Sequence, residues 1–358
     1  MSGYMVVASY LVAQVLSIFS LFFKKKTERV ILFVPLILLW YLASSKSEFS
    51  SYDMENYFDF FKNAPTLSEY DVRFYYGFEP LFVLYNSVIK SLGLGFTAFN
   101  TIIATLVLGI YAYLFRIETP KPLIALIVYI GFTFYKTELI TIRFGLALSI
   151  LMFSFYLYRV KQVFWSFILF LCSTQIHYSA LTGVFFYVAS LISFTNRRII
   201  LFIMVSCFFS IFNPFLIVVN IMETVGIPGY GRILKHLNSG EEAASMKRLL
   251  IYLPVFLFSI THRRGLKQYF SSFENIFKML VVGICLSLTF TQSTTLSRVS
   301  EVYLFSLVWL VPYMYVYSKK NKLFMWYYIS LAYVILYPLY MFLRYVFFNS
   351  GGSVVLTW

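Results

Sequence analysis

Charge is scarce in this sequence. Only 12% of its 358 residues are Asp, Glu, Lys or Arg, about half the quarter that a soluble domain carries. Glycine and proline are few, at 16 and 10, so no low-complexity linker or collagen-like tract is present. The three cysteines, Cys172, Cys207 and Cys285, are odd in number and sit inside apolar runs. That excludes a disulfide framework, and the three histidines offer no Cys/His metal spacing. No Walker loop or GxGxxG occurs, so nucleotide chemistry has no footing. What remains is apolar. Hydrophobic residues make up 60% of the chain, with 30 Tyr and 41 Phe, and the mean hydropathy is +0.78. A water-soluble globule of this size cannot hide so much apolar surface. The composition excludes a soluble enzyme, a disordered tail and a nucleic-acid-binding domain. The apolar runs are long and continuous rather than alternating, which selects a helical membrane protein over a barrel.

Apolar segments of spanning length fall at about 4–23, 30–44, 97–115, 122–136, 141–158, 163–177, 178–195, 199–221, 249–261, 275–291, 302–318 and 323–344, given that about 17–25 residues cross a bilayer. The expectation is an all-α polytopic membrane protein with about 12 transmembrane helices in one membrane domain over 1–358. Tyr4–Phe23 has no basic residues before it and ends in Lys24-Lys25-Lys26 without a small-residue cleavage site. It reads as the first membrane helix rather than a signal peptide. Phe78–Leu92 is ambiguous, because it opens with Glu79-Pro80 and contains Asn86 and Lys90.

Net charge resolves that ambiguity. The chain carries +14, from 29 Lys and Arg against 15 Asp and Glu. With the amino terminus outside and 78–92 not spanning, the basic loops Lys24–Arg29, Arg116–Lys121, Arg159–Lys161, Arg197-Arg198, Arg263–Lys267 and Lys319–Lys322 all face the cytoplasm. Their only acids are Glu28 and Glu118. The whole net charge is then cytoplasmic, as the positive-inside rule requires. Were 78–92 to span, Arg197-Arg198 and the later loops would change sides. Residues 78–92 are therefore expected to form a re-entrant or interfacial helix. Two long segments, 45–96 and 222–248, fall outside, and no soluble catalytic domain exists. Any chemistry belongs to the outer face.

Polar residues converge on that face from separate parts of the chain. A charge at membrane depth costs about 2.5–3.5 kcal/mol on insertion scales, so each one needs a reason. Arg143 stands beside the small residues Gly145 and Ala147. It reads as an anion clamp with a planar donor fork, or as half of a salt bridge to Glu138 or Glu79. Arg298 precedes Glu301 by three residues, which suits a local ion pair, but Thr289–Ser300 is a hydroxyl-rich run suited to a wet pocket. His177 lies beside Gln175 and Ser179, where a neutral imidazole can take a proton from a hydroxyl. Asp53, Glu79 and Glu55 are candidate general bases or simply solvated loop acids. Asp53-Met54-Glu55 is a weak divalent-ion spacing. Tyr52, Tyr57, Tyr75, Tyr76 and Tyr230 could stack on sugar rings.

Read in order, Tyr52-Asp53-x-x-x-Tyr57, Glu79-Pro80-Leu81-Phe82, Ile142-Arg143-x-x-Leu146-Ala147, His177-x-Ser179-Ala180-Leu181 and Arg298 with Tyr303 form a series. That series resembles the EpsG-like branch of the Wzy-type polysaccharide repeat-unit polymerases over roughly residues 45–305. Phe144 departs from the pattern, which places Gln after the Arg. The resemblance implies a GT-C-like membrane glycosyltransferase in the bacterial inner membrane. Its active site would face the periplasm, and its substrates would be undecaprenyl-pyrophosphate-linked oligosaccharides. It implies no cofactor, no metal and no nucleic acid, with membrane lipid and a chain-length-regulating co-polymerase as partners. Under it, Arg143 and Arg298 hold the pyrophosphate. One of Glu79, Asp53 or His177 is the base, and Tyr57, Tyr230, Arg232 and Tyr303 bind glycan. Inversion by a single metal-independent displacement follows from the same likeness. The competing readings are a lipid-linked oligosaccharide flippase, a membrane O-acyltransferase and an O-antigen ligase.

Overall fold

A computed structural model describes residues 11–16, 18–19, 22–46, 50–71, 76–212, 224, 244–291 and 298–347, with backbone only at 212, 244–248, 298 and 344–347. The described residues are helical and contain no strand. The chain divides into two compact units, Met1–Leu181 with Val311–Trp358, and Thr182–Leu310.

In the first unit, α1 (Lys25–Ile31) runs into α2 (Phe33–Ser44), and together they make a candidate span of 20 residues. Next comes α3 (Tyr52–Asn63). Ser51 caps it, its hydroxyl accepting from Met54 N at 3.2 Å, and Asp53 and Glu55 occupy the first turn. Both features favour a helix start. Met54, Tyr57 and Phe61 are buried along one face, as the i, i+3, i+7 pattern of a surface-lying helix requires. In α4 (Pro80–Ser91), Pro80 sits in the first turn, where its missing N–H costs nothing. Twelve residues extend about 18 Å, well short of the roughly 30 Å of hydrocarbon. Lys90 Nζ donates to Lys62 O at 2.7 Å and Ala64 O at 2.6 Å, so its charge closes the carbonyl end of α3. At the opposite end, Leu81 N donates to Gln175 O at 3.0 Å.

The 23-residue α5 (Phe96–Glu118) is the longest candidate span. It is followed by α6 (Pro122–Tyr129), a π turn over Ile130–Phe134, and a closing turn Tyr135–Thr137. Every residue of α6 is buried. A Cβ on Gly131 would lie 3.0 Å from Pro338 Cα, so glycine lets the π turn meet α16 (Phe324–Phe347), and Phe132 stacks on Tyr337 there at 4.2 Å. Beyond it, α7 (Ile142–Arg159) and α8 (Val163–Thr174) form a close pair. Their Ser154 and Ser166 hydroxyls donate to each other's carbonyls at 2.7 and 2.9 Å, the small-residue contact that membrane helices favour. Both acids of the basic loops are paired: Glu28 with Lys121 at 2.5 Å, and Glu118 with Arg159.

The second unit opens with α9 (Val184–Leu191) and α10 (Asn196–Phe212), then α11 (Ala244–Thr261), α12 (Arg263–Tyr269), α13 (Phe273–Thr289) and α14 (Glu301–Leu304). Helix α15 (Ser306–Lys320) leads out of it. At the centre is α13, packed on α9, α10, α11 and α14. A Cβ on Gly283 would lie 2.8 Å from Tyr303 Cβ, so glycine sets that approach. Arg263 pairs with Glu274. An apolar cavity of about 410 Å³ lies among Phe185, Val188, Phe202, Phe209, Val281 and Leu286.

Among the described residues, four helices are long and apolar enough to span: Lys25–Ser44, Phe96–Glu118, Ile142–Arg159 and Phe324–Leu343. Shorter apolar helices cover Pro122–Thr137, Val163–Thr174, Tyr178–Leu191 and Leu249–Thr261. Among the described residues the chain is all-helical, with several helices long and apolar enough to cross a membrane. The expected spans at 4–23 and 199–221 lie partly outside the described residues.

Candidate functional site

The N-cap of α4 breaks a local rule. Ser, Thr, Asp or Asn ordinarily stands there and bonds the first turn, yet Glu79 makes no such bond. Its carboxylate goes elsewhere. One oxygen, Oε2, accepts from Arg143 Nη1, and the other, Oε1, accepts from Tyr178 N at 3.0 Å. One side chain thus joins α4, the first turn of α7 and the turn after α8. Arg143 and Glu79 are 17% and 4% exposed at the side chain. At that depth, losing one partner of an ion pair costs about 3–5 kcal/mol.

Aromatic rings surround the guanidinium. Arg143 lies 4.6 Å from the Phe78 centroid and 5.7 Å from that of Phe82, within the range of a cation–π contact. Phe78, Phe82 and Tyr57 pack on each other at 5.5 to 6.1 Å. Tyr57 is buried. Burial pushes its phenol up to about 12, while the Arg143 guanidinium pulls the other way through its charge and a hydrogen bond. Asp53, one turn earlier on α3, adds a smaller upward push. Within this cage, Arg143 Nε is buried and has no hydrogen-bond partner. Its neighbour Phe144 turns edge-on to the His177 ring at 5.5 Å. The Nδ1 of His177 bonds the Ser179 hydroxyl and accepts from Ser179 N at 3.2 Å.

A second carboxylate lies on the opposite side of α7. Glu138 is 1% exposed. Its Oε1 accepts from Tyr129 Oη at 3.0 Å and Thr137 Oγ1 at 2.8 Å, and Lys46 Nζ donates to its main-chain carbonyl. A Cβ on Gly145 would meet Thr137 O at 2.6 Å and Glu138 Oε1 at 2.9 Å. Of the two partners considered for Arg143, the structure selects Glu79.

The structure therefore gathers Glu79, Arg143, Tyr57, Asp53 and His177 in the first unit. Arg298 opens a 3₁₀ turn in the second unit, and its side chain lies outside the described residues. Tyr230 and Arg232 also lie outside them. Tyr303 is fully buried, and its hydroxyl donates to Thr182 O at 2.5 Å, which makes it a packing residue of that unit. Among the described residues, no three His, Cys, Asp or Glu side chains converge as metal ligands. Sequence reasoning missed the cage ring Phe78, the Tyr178 amide and the Lys46 contact, and it quoted Phe82 only as part of a motif, without a role. Lys46 alone carried a signal: a lone charge closing an apolar run.

Neither a curated protein nor a solved structure matches the chain. A family model does, over residues 29–355, nearly the whole sequence. With its apolar helices and its buried Arg–Glu cluster, the chain belongs to the EpsG family, a family of Wzy-like polymerases.

Proposed function

We propose that this protein polymerises oligosaccharide repeat units carried on undecaprenyl pyrophosphate. The growing glycan moves from its lipid carrier to a new lipid-linked unit at the periplasmic face of the inner membrane, in a GT-C-like bundle of about 12 spans. The observation that supports this most is Arg143. It is a mostly buried guanidinium in an aromatic cage, with one nitrogen held by Glu79 and Nε without a hydrogen-bond partner. A departing pyrophosphate needs such a donor, already oriented and partly dry, where negative charge grows. Arg298 is the second clamp in this reading.

Glu79 spends both oxygens on Arg143 and the Tyr178 amide, so it serves better as the holder of the clamp than as a base. Asp53 or His177 is then the base for the acceptor hydroxyl. The lipid diphosphate is its own leaving group, so a single metal-independent displacement inverts the anomeric carbon. Tyr230 and Arg232 meet the glycan, and a co-polymerase sets chain length.

The test is incubation of the purified protein with a lipid-linked repeat unit. Wild type gives a ladder of repeat-unit increments. Arg143→Ala lowers elongation by about 10²–10³-fold, the effect of removing one transition-state donor, and Arg143→Lys, which keeps the charge but not the fork, also fails to restore the ladder. A normal ladder from either variant overturns the clamp. An acetyl-sized mass change points to acyl transfer, and glycan appearing on lipid A core points to ligation. Both overturn the polymerase assignment.

A further inference from the structure

The second unit holds a charge that the Arg143 cluster leaves unexplained. Lys278 stands in the second turn of α13 and is 7% exposed. Its ammonium has three donors. Among the described residues it makes one hydrogen bond, to Ser190 O of α9 at 3.2 Å, and the Phe194 ring lies 5.5 Å away. Neither carries a negative charge. Glu274, one turn earlier, is the natural i, i+4 partner, but Arg263 takes both its oxygens, Nε on Oε2 at 3.2 Å and Nη2 on Oε1. Glu274 attracts Lys278 without bonding it. Around the same helix ends, Arg263 Nη1 donates to Asn196 Oδ1 at 3.4 Å and Arg198 Nη1 to Ser193 O at 2.9 Å. Three cations gather there against Glu274, and a charge at membrane depth is costly unless it is matched.

The same elements wall the apolar cavity of this unit. Phe194, beside the Lys278 ammonium, lines it. So do Ala189 and Ile192, on either side of Ser190. On α13 the lining residues Val281, Val282, Cys285 and Thr289 follow Lys278 at helical spacing. The ammonium therefore heads an apolar stripe that runs about 12 Å from Val281 to Thr289. A cation at one end of a long apolar cavity complements an amphiphile with an anionic head. We infer that this cavity holds an acyl chain of an anionic phospholipid whose phosphate bonds Lys278. In the topology proposed above the Arg197-Arg198 and Arg263–Lys267 loops are cytoplasmic, so this lipid belongs to the inner leaflet, whereas the substrate is presented from the outer face. The leaflet rests on that topology; the site does not.

The experiment uses the full chain purified in detergent, with dioleoyl phosphatidylglycerol as the probe and native mass spectrometry to measure bound lipid. Wild type binds it about 10-fold more tightly than dioleoyl phosphatidylcholine, which has the same chains and no net charge, as a hydrogen bond between charged groups allows. Lys278→Gln removes that preference, and Lys278→Arg keeps it. Equal binding of the two lipids by wild type, or an undiminished preference in Lys278→Gln, overturns the inference. The chain is tested with Ala189→Phe, which puts a ring into the cavity and leaves Lys278 in place. Loss of the phosphatidylglycerol adduct is expected, and an unchanged adduct overturns the acyl assignment. If that variant does not elute as a single folded species on gel filtration, dihexanoyl phosphatidylglycerol decides instead. It keeps the head, shortens the chains and binds at least about 10-fold more weakly; equal binding overturns the acyl assignment. Inorganic phosphate is the last arm. Failure of millimolar phosphate to displace the lipid is expected, and displacement marks a bare anion site and overturns the lipid. None of these readouts depends on elongation, so the site is decided even if the polymerase reading falls.

Discussion

At the scale of single residues, the site is a question of which oxygens and nitrogens are already spoken for. Glu79 has two acceptor oxygens and two donors on them. Glu79→Gln keeps the shape and removes the charge, so elongation falls by about 10- to 100-fold, the worth of a charged hydrogen bond, and does not vanish. Loss of all product in that variant, measured in the repeat-unit assay, would make Glu79 the base after all. Tyr57 makes a different prediction. Its pKa in the folded protein is raised to about 12, so the phenol stays neutral in the native state wherever the enzyme works. A raised pKa gives stability that is complete below the ordinary phenol value and lost as pH rises through about 12. Tyr57→Phe should therefore leave the pH profile of activity unchanged in shape between about pH 6 and 10. A new ionisation limb in that window would contradict the burial. The charged members of the cluster were legible in the sequence, because a charge beside an apolar run demands a reason. The rings that shelter them were not. Among 41 Phe, nothing in spacing singles out Phe78, and Phe82 stood in a motif without a role, until the chain is folded.

At the scale of elements, the first turn of α7 is held from two sides. Glu79 grips Arg143 on one, and Thr137 with Glu138 lies against Gly145 on the other. Gly145→Ala would put a methyl 2.6 Å from a backbone oxygen, so the turn must shift. A displacement near 1 Å is enough to cost about 100-fold in a positioned site. The expected outcome is a folded protein, judged by gel filtration in detergent, with elongation reduced to that degree. Full activity would show that the turn has slack. The Pro80 start of α4 and its lysine near the end were visible as reasons against a span. That Lys90 reaches back to the last carbonyls of α3 was not visible, because it depends on a contact across 28 positions of sequence. Likewise the π turn at Ile130–Phe134 lies inside a run that reads as unbroken helix, and its contact with Pro338 and Tyr337 of α16 appears only in the fold.

At the scale of the whole molecule, the sparse charges sort themselves. Long apolar runs read directly as helices, because in lipid the backbone must satisfy itself within each segment. The sequence boundaries 97–115 sit within α5, and 141–158 meets α7 to within one residue at each end. The pairing of Glu28 with Lys121 and of Glu118 with Arg159 needed the fold, because each joins loops far apart in sequence. The sidedness can be measured. In a background without the three native cysteines, Ser68→Cys should react with an impermeant maleimide added to intact cells' periplasmic side, and Lys320→Cys should react only after the membrane is opened. The opposite pattern would reverse the orientation and remove the outer-face site with it.

The Glu79–Arg143 bond also bears on how the protein is made. Glu79 precedes Arg143 by 64 positions, so the acid leaves the ribosome first. When the segment bearing the arginine reaches the translocon, its countercharge has already been delivered. The order of synthesis thus puts the countercharge in place before the guanidinium that needs it, so the pair can close as soon as α7 meets α4.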